Sequence, residues 1–423
     1  MMMPYSAYKN SKLDWLGDIP SHWDLVKLGA CFQERNEKVS DKDFAALSVT
    51  KNGILPQMEH VAKTDAGDNR KKVCIGDFVI NSRSDRKGSS GTSDYDGSVS
   101  LISIILEPRL YEPRFAHHLL RSYNFQEEFY KYGKGIVADL WSTRYSDMKN
   151  IFVPLMPVDE QKAIATFLDR ETLRIDSLIE EKQTFIKLLK EKRQALISYV
   201  VTKGLNPNVE MQDSGIEWIG QVPKHWEMIK FSHFVSIRNG QVDPTIEPWS
   251  NRILIAPNHI ESGSGKIIKK ETAAEQGADS GKYLCKKGEV IYSKIRPALA
   301  KACICEEDEA ICSADMYPIS CDSRMKNEYL LWLILSSEFT RYAILESERI
   351  AMPKINRDSL GKIKFPVPPI TEQNAALNYI KTNTEKIERL IEHTNTSIEL
   401  LQEHRISLIS AAVTGKIDVR EAV

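Results

Sequence analysis

Two short basic stretches hold the side chains of this sequence best suited to chemistry. The first runs Asn81-Ser82-Arg83-Ser84-Asp85-Arg86-Lys87-Gly88-Ser89-Ser90-Gly91-Thr92 and mixes guanidinium forks with hydroxyls and an amide. An Arg fork matches the acceptor edge of guanine, an Asn amide matches adenine, and Lys and hydroxyl groups reach phosphate oxygens. From Arg70 to Ser90 there are six Lys/Arg against two Asp, a net of +4, in a chain whose formal net charge is −1. The second stretch, Lys266 to Lys301, has nine Lys/Arg against four acids, a net of +5, and includes Lys294 and Arg296. A solvated surface loop has the same composition, so these residues by themselves leave both readings open.

The two stretches occupy equivalent places. Gly288-Glu289-Val290-Ile291-Tyr292-Ser293-Lys294-Ile295-Arg296 answers Gly76-Asp77-Phe78-Val79-Ile80-Asn81-Ser82-Arg83 with one gap, and both apolar runs lead into a basic residue. Farther on, Arg144 in the first copy stands where Lys354 and Arg357 stand in the second. The candidate contacts to a polyanion are therefore Asn81, Ser82, Arg83, Arg86, Lys87, Ser89, Ser90 and Arg144, with Lys266, Lys294, Arg296, Lys354 and Arg357.

The elements that position these residues are also duplicated. Trp15-Leu16-Gly17-Asp18-Ile19-Pro20-Ser21-His22-Trp23 returns as Trp218 to Trp226, 218 − 15 = 203 residues later, so the chain is a tandem repeat. Gly and Pro make this motif a turn that packs two indoles, and His22 and His225 read as part of that packing. From Asp159 to Lys203 no Pro or Gly occurs, and Leu168, Ile175, Leu189 and Leu196 fall on a heptad with Lys182 at the missing step. Ile179, Ile186 and Val200 form a second stripe, broken at Arg193. The pattern predicts one helix roughly 65 Å long with a narrow coiled-coil seam. An offset of 369 − 157 = 212 carries it onto Ile380, Ile387, Leu401 and Leu408, with Ile391 and Ile398 on the second stripe. The interruptions coincide as well, Lys182 with Thr394 and Arg193 with Arg405, as expected for two helices paired about a local two-fold axis.

The expected fold is α+β: two mixed bodies and two long antiparallel helices. The segments are 1–155, 156–205, 206–367 and 368–423. In the bodies, Cys74 to Ile80 and Ser98 to Leu106 read as strands, and Phe115 to Lys131 and Tyr329 to Tyr342 as helices.

The 423 residues exceed one core, and 42% hydrophobic with 27% charged residues is a folded composition. A pI near 6.8 excludes a uniformly basic coat protein. No apolar run approaches 18 residues and the Met1-Met2-Met3-Pro4 start lacks signal-peptide order, so the expected place is the cytoplasm, with no membrane contact. Seven cysteines without a secretory leader are expected as reduced thiols. Cys285, Cys303, Cys305, Cys312 and Cys321 cluster in the second body, but Cys303-Ile304-Cys305 is tighter than a zinc knuckle, so buried strand positions are expected and no metal. Nucleotide loops, His-Glu-x-x-His and the Asn/Asp-Pro-Pro-aromatic tetrapeptide of adenine methylation are all missing from the sequence. The sequence therefore points to binding rather than catalysis.

In this arrangement the chain resembles the specificity subunit of type I restriction-modification systems. The resemblance rests on Pro157/Glu160/Gln161 and Pro369/Glu372/Gln373 before the helices, Lys190 to Arg193, Val201-Thr202-Lys203-Gly204, Val413-Thr414-Gly415-Lys416 and the duplicated Trp motif. It covers nearly the whole chain. It implies that each body is a target recognition domain reading one half of a split target in double-stranded DNA. It also implies that the helices carrying Glu160, Gln161, Leu168, Ile175, Ile179, Ile186, Leu189 and Leu196, then Glu372, Gln373, Ile380, Ile387, Ile391, Ile398, Leu401 and Leu408, act as ruler and dock. The partners implied are two modification subunits and restriction subunits; S-adenosylmethionine, ATP and Mg would sit on those, with no cofactor and no catalytic residue here. Competing readings are the recognition subunit of a related system whose partner combines methylase and nuclease, a coiled-coil scaffold without DNA, and an enzyme with an unrecognised site.

Overall fold

A computed structural model describes residues 4–57, 68–83, 87–135, 141–347 and 353–421. The chain divides into two compact units, Met1–Lys182 with Asn395–Val423, and Gln183–Thr394. The boundaries obey the repeat, since 182 + 212 = 394.

Two helices dominate, Val158–Lys203 of 46 residues and Ile370–Val413 of 44. Each begins with acidic residues in its first turn, Asp159 and Glu160 or Glu372, which suit the positive end of the helix dipole. Each gives way to a glycine with positive φ, Gly204 at 76° and Gly415 at 72°. In the first unit the start of the first helix and the end of the second meet at Trp23. Its indole N–H donates to Glu160 at 2.9 Å, and a Cβ on Gly415 would lie 3.0 Å from its ring. In the second unit Trp226 does the same, donating to Glu372 at 3.0 Å, with Gly204 against its ring. Within each unit the helix segments are therefore antiparallel, and the Trp motif is the clamp that joins them.

The seam faces inward. Leu168, Ile175, Leu189, Ile380, Ile387 and Leu408 are buried, while Ile179, Ile186, Leu196, Ile391, Ile398 and Leu401 are half-buried. In the first unit Leu168, Ile175 and Leu408 share one core with Trp23, Phe78, Leu106 and Phe115. Arg405 forks onto Asp176 at 2.9 and 3.1 Å, and its repeat mate Arg193 faces Glu388, the mate of Asp176, at 4.0 Å. Arg193 also donates to the Gly263 and Ser264 carbonyls at 3.3 and 3.0 Å, so the shared break in the heptad holds a polar contact in both copies.

The bodies have different side chains and one topology. In the first, an antiparallel sheet runs Ser90–Thr92, Phe78–Asn81, Ser103–Pro108, Phe32–Glu34. In the second the order is Ala302–Ile304, Val290–Ser293, Met316–Cys321, Val235–Ile237. Asp24–Lys27 pairs with Phe152–Leu155 where each body joins its helix, as Glu227–Lys230 pairs with Lys364–Val367. A bidentate Arg35–Asp77 pair at 2.7 and 3.2 Å under the first sheet is matched by Arg238–Glu289 under the second.

Several local expectations are corrected. Strand pairing begins at Phe78 rather than Cys74, because Asp77 accepts the Cys74 N–H at 2.8 Å and Gly76 turns at φ 87°. Ser98 to Leu106 splits into Gly97–Val99 and Ser103–Pro108, in different sheets. Each expected body helix is two helices: Pro113–Arg121 and Tyr123–Lys131, then Asn327–Ile334 and Ser337–Ser347. Ser122 and Ser336 interrupt them because each hydroxyl caps the next helix, accepting Phe125 N–H at 3.3 Å and Phe339 N–H at 3.2 Å. Cys285, Cys303, Cys305 and Cys312 are free thiols in one small buried cluster of the second body. No helix among the described residues is long and apolar enough to cross a membrane.

The close approach at Gly415 yields a stability test. Gly415→Ala places a methyl group inside the Pro20 ring while φ stays positive, and the expected cost is about 3 kcal/mol. Gly215→Ala, with φ 67° and open space around it, should cost about 1 kcal/mol by the same denaturant titration. Equal costs at the two positions would remove the packing argument.

Candidate nucleic-acid interface

The basic residues are placed by a strand that outruns its sheet. In the first unit the chain continues past Phe78–Asn81, and Arg83 forms an antiparallel bridge with Ser142. Thr143 N–H donates to the Ser82 carbonyl at 3.0 Å, and the Ser82 and Ser142 hydroxyls lie 3.0 Å apart. In the second unit Ile295 bridges Lys354 in the same way, with Ile355 N–H on the Lys294 carbonyl and Arg296 N–H on the Pro353 carbonyl, both at 2.9 Å. The two bridges are repeat mates, 295 − 83 = 354 − 142 = 212. Each brings one basic stretch beside the segment that returns to the long helix, Arg83 beside Arg144 and Arg296 beside Lys354.

Arg83, Arg144, Arg296 and Lys354 are all exposed. Arg296 is held at φ 47°, a conformation that turns the chain sharply at this edge. Among the described residues, the side chains of Arg144, Arg296 and Lys354 form no ion pair, so these three exposed cations meet no acid among those residues. Asn81 is half-buried, and its amide oxygen accepts the Arg83 N–H at 3.1 Å, shaping the turn. Arg86, with Ser84 and Asp85, lies outside the described residues.

Other expected contacts have internal work. Lys87 pairs with Glu127 and sits 5.5 Å from the Tyr130 ring centre. Ser82, Ser89 and Ser90 are buried, so the hydroxyls expected to reach phosphate face inward. Lys294 lies 5.5 Å from the Tyr317 ring centre. Arg357 is 5.2 Å from the same ring and donates to the Arg238 carbonyl at 2.8 Å, so it supports the edge. Lys266 belongs to another place, paired with Glu388 on the long helix at 2.5 Å. Its partner lies 122 residues away in the chain, outside the basic stretch. Sequence reasoning missed the exposed Trp141, an aromatic face one residue from the bridge.

Glu160 and Gln161, expected on the docking helices, have their side chains engaged within the chain. Gln161 is fully buried; its Oε1 accepts Glu112 N–H at 2.8 Å, and its Nε2 donates to Met156 and Leu110 carbonyls at 2.9 and 3.1 Å. Gln373 repeats this on Lys326, Arg324 and Pro368, each at 2.8 Å. Glu160 accepts from Tyr5, Trp23 and His22 at 2.8, 2.9 and 2.8 Å. These side chains hold body and Trp motif to the helix. The buried seam residues likewise offer no surface to another chain; the exposed apolar side chains of the helices are others, among them Leu188 and its mate Leu400.

Fold and site together define a duplicated recognition protein in which two copies of one sheet present basic edges on equivalent bridges. Residues 223–400 match the family model described as type I restriction modification DNA specificity domain. The EcoDI type I restriction enzyme specificity subunit of Escherichia coli is 28% identical, over 95% of this chain and 90% of its own length. A chain from a solved type I restriction-modification assembly aligns with a TM-score of 0.71 at 14% identity, covering 93% of this chain and 98% of that one. The HsdS subunit from Thermoanaerobacter tengcongensis aligns at 0.55 and 16% identity, covering 94% and 98%. Over nearly its whole length the chain is similar to the specificity subunits of type I restriction-modification systems, and its fold is theirs.

Proposed function

We propose that this chain is the DNA-recognition subunit of a methylating and restricting complex, and that each unit reads one half of a bipartite duplex target. The observation that carries this reading is the pair of bridges 212 residues apart, each with exposed cations beside it. Phosphate contacts from such cations supply salt-dependent affinity, and an Arg fork on a base edge discriminates by about 1 to 3 kcal/mol. The chain contributes recognition and no catalytic step. Two modification subunits and the restriction subunits are its partners, and S-adenosylmethionine, ATP and Mg belong to them.

Sequencing the methylated sites of a host carrying this chain and its modification partner tests the assignment by halves. Arg83→Ala with Arg144→Ala is expected to relax one half-site by about tenfold or more and leave the other unchanged. Arg296→Ala with Lys354→Ala is expected to do the reverse. Loss of neither half-site, or of both from either pair, would show that these edges are not the reading surfaces.

A further inference from the structure

The first unit contains a cleft of about 730 Å³ that the reading edge does not explain. It is walled by the turn at Lys51, the helix Pro113–Arg121 and both long helices, through Asp176 and Arg405. Its acids are mostly engaged. Asp169 is held by Arg114 at 3.2 Å and His118 at 2.7 Å, and Asp176 by the Arg405 fork. Asp94 is the remaining acid of the lining. Against it stand Lys51, whose amine has no partner among the described residues, and Arg121, which has no carboxylate partner among them. Arg121 instead donates to the Lys51 carbonyl at 2.5 Å and faces His117 Nε2 at 3.0 Å.

The imidazole of His117 shows that something is missing from this set. Its Nδ1 receives the Thr92 N–H at 3.2 Å, while its Nε2 faces the Arg121 guanidinium. Burial and the neighbouring Arg121 hold its pKa down to about 3, so the ring is neutral. A neutral imidazole has one acceptor nitrogen and one N–H. Both nitrogens face donors, so one donor hydrogen has no acceptor, directly beside a half-buried guanidinium. An oxyanion at the Arg121–His117 edge would relieve both shortages.

We infer that this cleft binds a phosphate group, seated by Arg121 and Lys51 with His117 donating from Nε2. The described residues of the second unit hold no counterpart. Counting from the matched helix starts at Glu112 and Lys326, its residues at the positions of His117, His118 and Arg121 are Leu331, Trp332 and Leu335, since 326 − 112 = 335 − 121 = 214. A Cβ on Gly265 would lie 3.3 Å from Leu331 and 3.6 Å from Leu335, so the equivalent space is filled.

The phosphate can come from the duplex backbone or from a free ion, and two measurements on the full-length chain separate them. Calorimetric titration with inorganic phosphate is compared between the unaltered protein, Arg121→Gln and Lys51→Gln. The salt dependence of binding to a random duplex is measured on the same three proteins. A backbone seat is expected to lower the salt slope by about 0.9 in each variant. A free-ion site is expected to weaken phosphate binding about tenfold with the slope unchanged. Lys51 is exposed, so its variant keeps the test open if Arg121→Gln folds poorly. Only the duplex measurement rests on the proposed function, so a failure of that reading leaves the phosphate titration decisive. No change in either measurement, in either variant, overturns the assignment.

Discussion

Inserting four residues after Lys182 together with four after Thr394 is expected to widen the gap between the two half-sites by about two base pairs and to leave both half-sites unaltered. The two positions are repeat mates and are also where the chain passes between its units. Four helical residues add about 6 Å, and successive base pairs are about 3.4 Å apart. The insertions have to be matched because the seam is buried in both copies, with Ile175 and Leu408 in one core and Ile380 in the other. A single insertion would leave one helix out of register with its partner and destabilise the pair. The methylated motif reports the result directly. An unchanged gap, or altered half-sites, would mean that helix length does not set the spacing.

Glu160→Ala is expected to lower the stability of the first unit by about 3 kcal/mol, because one carboxylate serves three donors and its side chain is 5% exposed. The buried phenol of Tyr5 and indole N–H of Trp23 lose their acceptor, and the clamp between the two helix ends loosens. A unit of this size should melt about 6 to 12 °C lower. Glu372→Ala removes the repeat mate, which serves two donors and whose side chain is 42% exposed, and about 1 kcal/mol is expected there. Differential scanning calorimetry of the two variants distinguishes them. A shift at Glu372 as large as that at Glu160 would sink the idea that burial of the shared acceptor makes the clamp.

The residues of the clamp explain why part of this protein was legible without coordinates. Trp23, Glu160, Gln161 and Gly415 recur as Trp226, Glu372, Gln373 and Gly204, in the same chemical roles. Apolar spacing reports a helix because the period is local, and duplication reports symmetry because both copies keep the same interruptions. That reasoning reached the two long helices, their antiparallel seam and the location of the two basic stretches. It failed where a residue's role depends on a distant partner. Lys266 looked like part of a basic surface and is paired with Glu388. Ser82, Ser89 and Ser90 looked like exposed hydroxyls and are buried.

The amino-acid sequence by itself determined the tandem repeat, the paired helices and the family resemblance that follows from them, because each is written in spacing or in copied residues. Only the tertiary structure decided that the two bodies share one sheet order, since backbone hydrogen bonds preserve a register that diverged side chains no longer record. It also decided which cations stand exposed at the bridges and which are spent inside. Arg83 meets Ser142, and Arg121 meets Lys51, through contacts that close loops of 59 and 70 residues. No local pattern encodes such closures; they exist because packing the sheet against the helices brings those segments together.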